Sequence, residues 1–419
     1  MNINNYLVRV TLPVLILFTA ATFALAQKAV PPRQEKLLNG MKLLVWSEPA
    51  ANKATVKLRI HSGAAFDTLN KEGTMALLAD ALFPNESVKE FFREDLGGSL
   101  SVESNYDYIQ INATGDSNQI SAILETLAAA VTKPQIDKET TAKIRVARLE
   151  RIKELEKNPA YIADQAVAKR LFGDFPYGKS AEGTAESLAK IDFADLLLAK
   201  QRFLTADNAT LAVVGNINSN YVFKAVRQLF GGWEKADKRV PATFAQPNAP
   251  ETTVLIVKSP DDERGELRYA FRSLARNDKD FWASTVLAQI LEKRFDGEVR
   301  QNSNLLPGMF TMSLTAFNIQ MSSVSQMSKA LFNATFNPPI KPEEFAAAKE
   351  VITGETNRKD VVDYWLDVDT YKIISVKSDA QTAQNVTLVD VQRVAERIRK
   401  EPMVTVLVLR EKNMPASNN

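Results

Sequence analysis

The stretch EGTMALLADALF, Glu72–Phe83, decides how the rest of the chain is interpreted. Its apolar residues Met75, Leu78 and Leu82 recur at spacings of three and four, which predicts a helix with one buried stripe. Pro84 follows directly and predicts the end of this helix, because a proline cannot continue it. The sequence therefore predicts a short helix that is anchored through a single apolar face.

One face of the predicted helix carries Ala76, Ala79 and Asp80, because residues three and four positions apart are neighbours on a helix. The stretch resembles the metal-binding helix of the pitrilysin/insulinase family of zinc metallopeptidases, which reads G-x-x-H-L-L-E-H-x-L-F around an inverted H-x-x-E-H motif. The positions that match are Gly73, Leu77, Leu78, Leu82 and Phe83. Ala76 and Asp80 stand where the family has its two histidines, and Ala79 stands where it has its glutamate. The resemblance implies the scaffold of a zinc site without its chemistry.

Two later segments carry the same resemblance. PYGKSAEGTAESLAKI, Pro176–Ile191, is similar to the family's P-Y-G-x-x-x-x-G-x-x-E-S-L-x-x-I segment. FLTADNATLAVVGNI, Phe203–Ile217, is similar to its Y-x-P-x-N-A-x-L-x-V-V-G-D-h segment, in which h is apolar. Within these segments Thr184 is placed to cap a helix, and Leu211–Val214 is an apolar run typical of a strand buried on both faces. Together with the helix, they indicate a degenerate member of this family.

The resemblance implies an α+β fold. In the family, two related domains face each other across a cavity, and each domain is a mixed, largely antiparallel sheet covered by helices. Here we expect an N-terminal domain over residues 36–234 and a C-terminal domain over residues 251–412. Residues 235–250 are charged, then rich in proline and alanine, and have no period, which predicts a linker. Both halves open strand–strand–helix and end helix–strand, which suggests an internal repeat.

Several single elements are also predicted from pattern alone. A strand over 54–62 places Val56, Leu58 and Ile60 on one face and His61 on the other. A second strand is expected at Tyr106–Asn112 and one helix at Val361–Val376. Further helices are expected over 137–157 and 325–336.

The composition limits the functions that are open to the chain. Its 419 residues are 45% hydrophobic, which is enough to bury large cores, and its formal charge of +2 gives no electrostatic case for a nucleic-acid partner. There is no cysteine, so disulfides and thiolate metal sites are excluded. The only histidine, His61, is expected to be an ordinary strand residue, and one imidazole cannot build the usual zinc or acid–base site.

The N-terminal segment predicts export. Arg9 precedes the apolar run Val10–Leu25, and Ala24-Leu25-Ala26 has the small-x-small pattern of a signal-peptidase site, so residues 1–26 are predicted to be a signal peptide. The alternative is an uncleaved anchor, which would leave the rest of the chain in the same compartment. A polar connector, Lys28–Glu35, is expected next. We therefore expect an exported protein of the periplasm or cell envelope, with no membrane segment after cleavage.

The third metal ligand of the family is a glutamate on a later helix, in a segment like V-x-x-E-E-I. The matching segment here is RLERI, residues 148–152, and its register puts Arg151 at the ligand position; a slip of one residue would put Glu150 there. Even with Glu150, two carboxylates suit zinc poorly, so we expect no metal and no cofactor. An Arg151–Asp80 ion pair would fill the vacated site. The alternative is two exposed charges that never meet.

The family's second domain contributes an Arg and, seven residues later, a Tyr, which hold the substrate and help to stabilise the transition state. In the matching segment here, Arg300 keeps the Arg, and Pro307 stands at the Tyr position without a hydroxyl. Paired bacterial members often divide these parts, so that one subunit carries the zinc motif and the other the Arg and Tyr. The resemblance therefore implies a partner subunit that carries an active zinc site.

Peptide binding is the property that can survive loss of the metal. Members of the family bind an extended peptide against an edge strand of the first domain, and strand addition depends on main-chain hydrogen bonds rather than on particular side chains. The matching strand here contains Leu100, Ser101, Val102 and Glu103. The alternative is that this strand sits in the sheet with no ligand.

Three functions follow from this sequence. The first is an exported, non-catalytic family homologue that acts as the inactive subunit of a peptidase pair. The second is a stand-alone envelope protein that binds peptides or serves as a scaffold. The third is a genuine zinc metalloendopeptidase, against which stand the missing ligands and the missing general base.

Overall fold

The computed structural model describes residues 31–236, 244–259, 264–295, 297–317, 330, 332–358 and 360–410. The predicted signal peptide 1–26 lies outside these residues, as do 237–243 of the predicted linker and 325–329 and 331 of the helix expected over 325–336; residues 330 and 332–336 of that helix are helical. None of the described helices is long and apolar enough to cross a membrane.

The first half of the chain builds a six-stranded sheet in the order β1-β2-β6-β3-β5-β4. Only β2 and β6 pair in parallel; every other neighbouring pair is antiparallel. The side chains of Val56, Leu58 and Ile60 are buried, as their alternation predicts. The strands are β1 Arg33–Lys36, β2 Lys42–Ser47, β3 Lys53–Ile60, β4 Ser99–Ser104, β5 Ile109–Asp116 and β6 Ala209–Gly215.

Eight helices belong to the first half. Most of them cover one face of the first sheet through a large shared core, whereas α5 turns away toward the second half. Thr184 caps α6 with a reciprocal bond to Ser187, which confirms the predicted cap. The helices are α1 Thr74–Asp80, α2 Glu86–Glu94, α3 Ile120–Thr132, α4 Lys138–Leu155, α5 Pro159–Phe172, α6 Ala185–Ala189, α7 Phe193–Phe203 and α8 Ser219–Phe230.

The second half builds a five-stranded sheet in the order β7-β11-β8-β10-β9. Its first strand, β7, pairs in parallel with its last, β11, much as β2, the second strand of the first half, pairs with the last strand of that half, β6. The strands are β7 Leu255–Ser259, β8 Arg264–Arg272, β9 Glu298–Asn302, β10 Met309–Phe317 and β11 Val404–Arg410. The helices are α9 Phe281–Phe295, α10 Pro342–Arg358, α11 Val361–Tyr371, α12 Val376–Asn385 and α13 Leu388–Arg399. The expected α+β fold with two related sheets is confirmed.

Four elements differ from the sequence-based predictions. The helix expected over Val361–Val376 is two helices, because Lys372 adopts a left-handed φ of 57° and the Ser375 side chain caps a new helix at its Ser378 N–H. The strand expected at Tyr106–Asn112 starts at Ile109, since the Asn105 side chain folds residues 105–108 into a turn by accepting two backbone N–H groups. The expected connector contains strand β1, and helix α7 was not predicted.

The two halves exchange helices. Helix α5 packs on the second sheet through Val167 and Leu171, which share a core with Val404 and Val406 of β11. In return α11 packs on the first sheet, where Val362 and Leu366 meet a small apolar cluster; its first-sheet members are Leu44, Trp46 and Ala212. Each sheet is therefore covered on its second face by a helix from the other half.

Buried charges join the halves at these helices. Arg59 on β3 is 2% exposed and donates to Asp367 Oδ1 of α11 at 2.7 Å and to Gln110 Oε1 at 2.6 Å. Arg268 on β8 donates to Asp164 Oδ1 of α5 at 2.7 Å. Charged hydrogen bonds in a desolvated contact are strong and directional, so they fix how each exchanged helix is oriented.

The single histidine belongs to the same contact. The Nδ1 atom of His61 lies 2.9 Å from Thr370 Oγ1 of α11, and its Nε2 atom lies 2.9 Å from Thr210 Oγ1 of β6. Burial lowers the pKa of His61 to about 3, the Asp369 carboxylate opposing that shift. The ring is therefore a neutral bridge between the first sheet and α11.

We expect this bridge to weaken in acid. The unfolded chain binds a proton at His61 near pH 6.5 and the folded chain does not, so the stabilisation is complete above about pH 6.5 and is lost as the pH falls toward 3. Because His61 as a residue is only partly shielded from solvent, the loss of stability between pH 7.5 and 5 should be about 1 kcal/mol. Urea unfolding of the wild type and of His61→Gln at both pH values measures it. A wild-type advantage that is equal at the two pH values would contradict the expectation.

Candidate functional site

Helix α1, Thr74–Asp80, lies within the predicted stretch Glu72–Phe83 but is shorter than predicted at both ends, and its start is held by a residue that no sequence motif indicated. The Asp67 carboxylate accepts the backbone N–H groups of Gly73, at 2.7 Å, and Met75, at 2.9 Å. Gly73 has a φ of +93°, a region that side chains rarely adopt, and a Cβ there would lie 2.9 Å from the Glu182 carbonyl oxygen. Burial raises the pKa of Asp67 to about 7, against the two N–H groups that lower it.

The positions that replace the family's motif lie at different depths. Ala76 is 0% and Ala79 3% exposed, so both methyl groups are enclosed by the protein. Asp80, at the end of α1, keeps 35% of its side chain exposed. The helix therefore offers one carboxylate and two buried methyl groups on the face in question.

Arg148 of α4 occupies the space beside that carboxylate. Its Nη2 donates to both oxygens of Asp80 at 2.7 Å, and its Nε donates to Oδ2 at 2.9 Å. Nη2 also donates to the Ala76 carbonyl oxygen at 3.1 Å, and Nη1 donates to the Glu182 carboxylate. The Arg148 side chain is only 5% exposed. A buried guanidinium is thus held by two carboxylates and by the backbone of α1.

The charges of this cluster follow from that arrangement. Burial alone would lower the pKa of Arg148, but Asp80 and Glu182 outweigh it and raise that pKa above its ordinary value. Burial raises the pKa of Asp80, and the Arg148 guanidinium opposes that shift. Because an arginine stays protonated throughout the physiological range, the contact is an ion pair near neutral pH.

The expected Arg151–Asp80 pair is wrong by one helical turn. Arg151 is 62% exposed and reaches only Glu182, at 3.4 Å, while Glu150 pairs with Lys153 at the surface. Arg148 and Arg151 are three residues apart and share a face of α4, so a register drawn on short motifs can mistake one for the other. A signal for Arg148 existed in the sequence: it lies four residues from Ile144 and from Ile152, both of which are buried. Glu182 gave no comparable signal.

These residues do not fit a zinc ion. Zinc sites in this class need imidazole and carboxylate ligands and a glutamate that activates water. Ala76 and Ala79 have no donor atoms, and Asp80 is already engaged by a cation that would repel a metal. Among the described residues, no group of three or more His, Asp or Glu side chains is placed to hold a metal ion.

The predicted peptide-binding strand is an edge strand. β4 pairs only with β5, so its other side offers backbone groups for pairing. Leu100 is buried and Val102 is half-buried, whereas Ser101 and Glu103 are exposed, and Glu103 accepts from Asn112 Nδ2 at 2.6 Å. Peptide binding at β4 stays a prediction.

Arg300 lies on the edge strand of the other sheet. It is on β9, 55% exposed, and forms an ion pair with Glu298 of the same strand. It lines a cleft of about 370 Å³ between α5 and β9–β10, together with Asp164 and Tyr177. No described contact joins Arg300 to α1 or β4, so its predicted role in substrate binding stays a prediction.

The loop between β9 and β10, residues 303–308, is held by hydrogen bonds to side chains of the first half. The Tyr177 hydroxyl donates to Asp107 Oδ1 at 2.9 Å and accepts from the Leu306 N–H at 2.9 Å. Asp107 Oδ2 also accepts from the Leu305 N–H at 3.2 Å. Burial raises the pKa of Asp107 to about 6, and the Tyr177 hydroxyl and the Leu305 N–H oppose that shift. The sequence analysis did not select Asp107 or Tyr177 for this role.

Two protein-family models match the sequence of this chain. Residues 42–185 match the family model described as insulinase (peptidase family M16), and residues 190–352 match the one described as peptidase M16 inactive domain. The chain belongs to the M16 peptidase family. The resemblance inferred from Glu72–Phe83 and the two later segments is thereby confirmed.

Individual M16 relatives are distant. An uncharacterized zinc protease of Rickettsia bellii is 22% identical over 208 residues, which are 48% of this chain and 50% of that protein. The chain thus spans about half the length of the first curated relatives it matches. Among solved structures, a peptidase M16 inactive domain from Pseudomonas fluorescens has a TM-score of 0.79 at 18% identity, covering 90% of this chain and 97% of that one. A protease from Helicobacter pylori has a TM-score of 0.80 at 16% identity, covering 90% and 100%. These structures show the two-domain M16 fold.

Proposed function

We propose that this M16 homologue is an exported, non-catalytic subunit that pairs with an active zinc subunit of the same family. The observation that carries the proposal is the buried Arg148 guanidinium, which is bound to Asp80 and Glu182 beside the helix that carries the metal in catalytic members. Its positive charge neutralises the carboxylates of Asp80 and Glu182, as a metal cation would. A guanidinium cannot, however, activate water or polarise a carbonyl as a metal does.

The loss of activity is argued from the chemistry of the residues. Removing the metal takes away several kcal/mol of transition-state stabilisation, and the alanine at position 79 removes the general base as well. Nothing else on α1 supplies an acid or base, since Asp80 is fully engaged by Arg148. A peptide held near α1 would therefore stay uncleaved by this chain alone.

Retained binding surfaces support a role in a pair. Among the described strands β4 lies at an edge, so its outer backbone groups are open to strand addition, and the matching sequence segment puts Arg300 at the substrate-binding Arg of the family. The family model matched by residues 190–352 is itself named for an inactive domain. Export is inferred from Arg9, the apolar run and the cleavage pattern before Gln27.

A second candidate is a stand-alone envelope protein that binds extended peptides. The free edge of β4 supports it independently of any partner, because strand addition needs only unpaired main-chain groups.

Metal analysis and peptide cleavage separate these functions. The purified chain should contain no stoichiometric zinc and should not cleave a quenched peptide library. Mixed with a subunit from the same source that has an intact H-x-x-E-H helix, it should form a complex and increase cleavage. Peptide binding without such a complex would favour the stand-alone binder. Stoichiometric zinc together with chelator-sensitive cleavage by the chain alone would overturn both.

Restoring the ligands should restore metal binding. If α1 and α4 keep the family's scaffold, the variant A76H/A79E/D80H/R148E should bind one zinc ion per chain, because residue 148 already lies within reach of positions 76 and 80. The matched control, A76H/A79E/D80H, keeps Arg148 and should bind far less, since the guanidinium repels the ion. Metal analysis after dialysis measures both, and equal zinc content in the two variants would contradict the role given to Arg148.

A further inference from the structure

A cavity of about 540 Å³ lies where the two halves meet, away from α1 and from the β4 edge. We call it the seam cavity. The first half supplies β1, the β1–β2 turn, the ends of β3 and α7 and the start of β6, and the second half supplies the end of α11. The residues that line the cavity include Lys36, His61, Arg202, Thr205 and Lys372. It is therefore built by both halves of the folded chain and does not exist in either half alone.

The charges around the seam cavity are unbalanced. Its acids have partners: Glu35 pairs with Arg227, Asp369 with Lys42, and Asp207 accepts the Ala236 N–H at 2.9 Å. Two cations do not: Lys36 and Arg202 form no ion pair with any residue in the part of the chain that the structure describes. Because Glu35 and Asp369 are balanced by Arg227 and Lys42, the charges of Lys36 and Arg202 outweigh the one remaining carboxylate, Asp207, and leave a positive field at the opening.

The interior of the seam cavity also has an unused polar atom. Thr205 is 2% exposed and lines the cavity, and its hydroxyl has no hydrogen-bond partner among the residues that the structure describes. Buried hydroxyls are normally bonded, so this atom indicates room for a missing acceptor or donor. Next to it, the rings of Phe66 and Phe203 lie 5.3 Å apart and give the cavity an apolar wall.

Exposed aliphatic side chains lie close in sequence to residues that line the cavity. Leu38 lies in the β1–β2 turn between Lys36 and Gly40, both of which line the cavity, and it is 104% exposed. Ile374 lies two residues beyond Lys372 and is 91% exposed. Large aliphatic side chains so exposed beside unpaired cations suit a ligand that has both an anionic and an apolar part.

We propose that the seam cavity binds an organic anion with an aliphatic body. Its carboxylate or phosphate group lies near Lys36 and Arg202, one oxygen reaches the Thr205 hydroxyl, and the aliphatic body extends along the phenylalanine wall toward Leu38. The site is separate from the proposed peptide-binding strand, so it stands or falls independently of the subunit's role in proteolysis.

Calorimetric titration of the whole purified chain tests the proposal with four probes: octanoate, octyl phosphate, octanamide and inorganic phosphate. Octanoate or octyl phosphate should bind with a dissociation constant of about 1 mM or tighter, and the stronger of the two identifies the preferred head group. Octanamide should bind at least about tenfold more weakly, because it lacks the charge. Inorganic phosphate should be weaker than octyl phosphate, because it lacks the aliphatic body.

Matched variants locate the site. R202Q and K36Q should each weaken binding of the preferred probe about tenfold, and T205V should weaken it less. L38S should weaken the aliphatic probes and leave inorganic phosphate unchanged. The control K153Q removes the same charge from the exposed surface of α4 and should change nothing. All of these positions except Thr205 are exposed, so the variants should fold normally. Equal binding of octanoate and octanamide, an unchanged R202Q, or no binding of any probe would overturn the proposal.

Discussion

Replacing Arg148 with alanine should lower the free energy of unfolding by about 3 kcal/mol. The substitution removes a guanidinium that is 5% exposed and leaves Asp80 and Glu182 facing each other without a cation. It also removes the donor that satisfies the Ala76 carbonyl oxygen. Breaking a buried ion pair from one side can cost about 3–5 kcal/mol, and we take the lower end because Asp80 remains a third exposed. Urea unfolding at pH 7 measures the loss.

The control for this prediction is one turn further along α4. Arg151→Ala removes the same side chain from a site that is 62% exposed, and it should change the stability by less than about 0.5 kcal/mol. Arg148→Lys keeps the charge but not the planar fork and should fall between the two. If Arg148→Ala and Arg151→Ala destabilise equally, the cluster beside α1 does not depend on Arg148 in the way described.

The helix around which this site is built could be predicted from the sequence, but the partner of Asp80 could not. Met75 and Leu78 form the buried stripe of α1, and Leu82, just beyond the end of the helix, is buried as well. The partner depends on which turn of α4 faces α1, a contact between residues 68 positions apart in the chain. The family motif points to Arg151, whereas the arginine that pairs with Asp80 is Arg148, three residues earlier on α4. Helical periodicity alone, through Ile144 and Ile152, would have indicated Arg148 instead.

The contacts between the two halves are even harder to predict from the sequence. Local patterns predicted β3 and part of α11, yet nothing local shows that α11 crosses onto the first sheet. The break at Lys372 was missed because a left-handed non-glycine residue has no reliable sequence signature, and the break determines where α11 ends beside His61. Local sequence patterns also cannot show which strands lie at the edge of a sheet, because β4 and β9 are edge strands only through the order of the other strands.

The cluster of Arg148, Asp80 and Glu182 explains why the structure around α1 stays stable without a metal. Catalytic members need a metal to hold carboxylates and imidazoles together at this place. Here Arg148 satisfies the carboxylates of Asp80 and Glu182 from within the chain. The two buried alanines remove the groups that would have been left unsatisfied, so no polar atom is orphaned at positions 76 and 79. The replacement is therefore self-consistent as a structural contact, which supports a non-catalytic role for the helix.

The other large effect is expected at Arg59, which holds the two halves together. Arg59→Ala should lower the free energy of unfolding by about 4 kcal/mol, because it leaves Asp367, whose side chain is 10% exposed, without its cation. It also removes the donor to Gln110 and the guanidinium that lies 4.1 Å from the centre of the Tyr108 ring. Urea unfolding measures the total, and amide hydrogen exchange should show that α11 loses protection more than α3, which packs within the first half.

A double substitution distinguishes the ion pair from simple packing. Arg59→Met with Asp367→Leu replaces both charges by apolar side chains and should recover most of the stability lost in Arg59→Ala, since no buried charge is then left unpaired. Asp367→Leu alone should be destabilising but less damaging than Arg59→Ala, because the guanidinium keeps Gln110 and the Asp363 carboxylate, which lies 3.5 Å away. If the double variant is as unstable as the sum of the single ones, the two residues do not act as a pair, and the contact between the halves must depend on the apolar cluster around Val362 and Leu366.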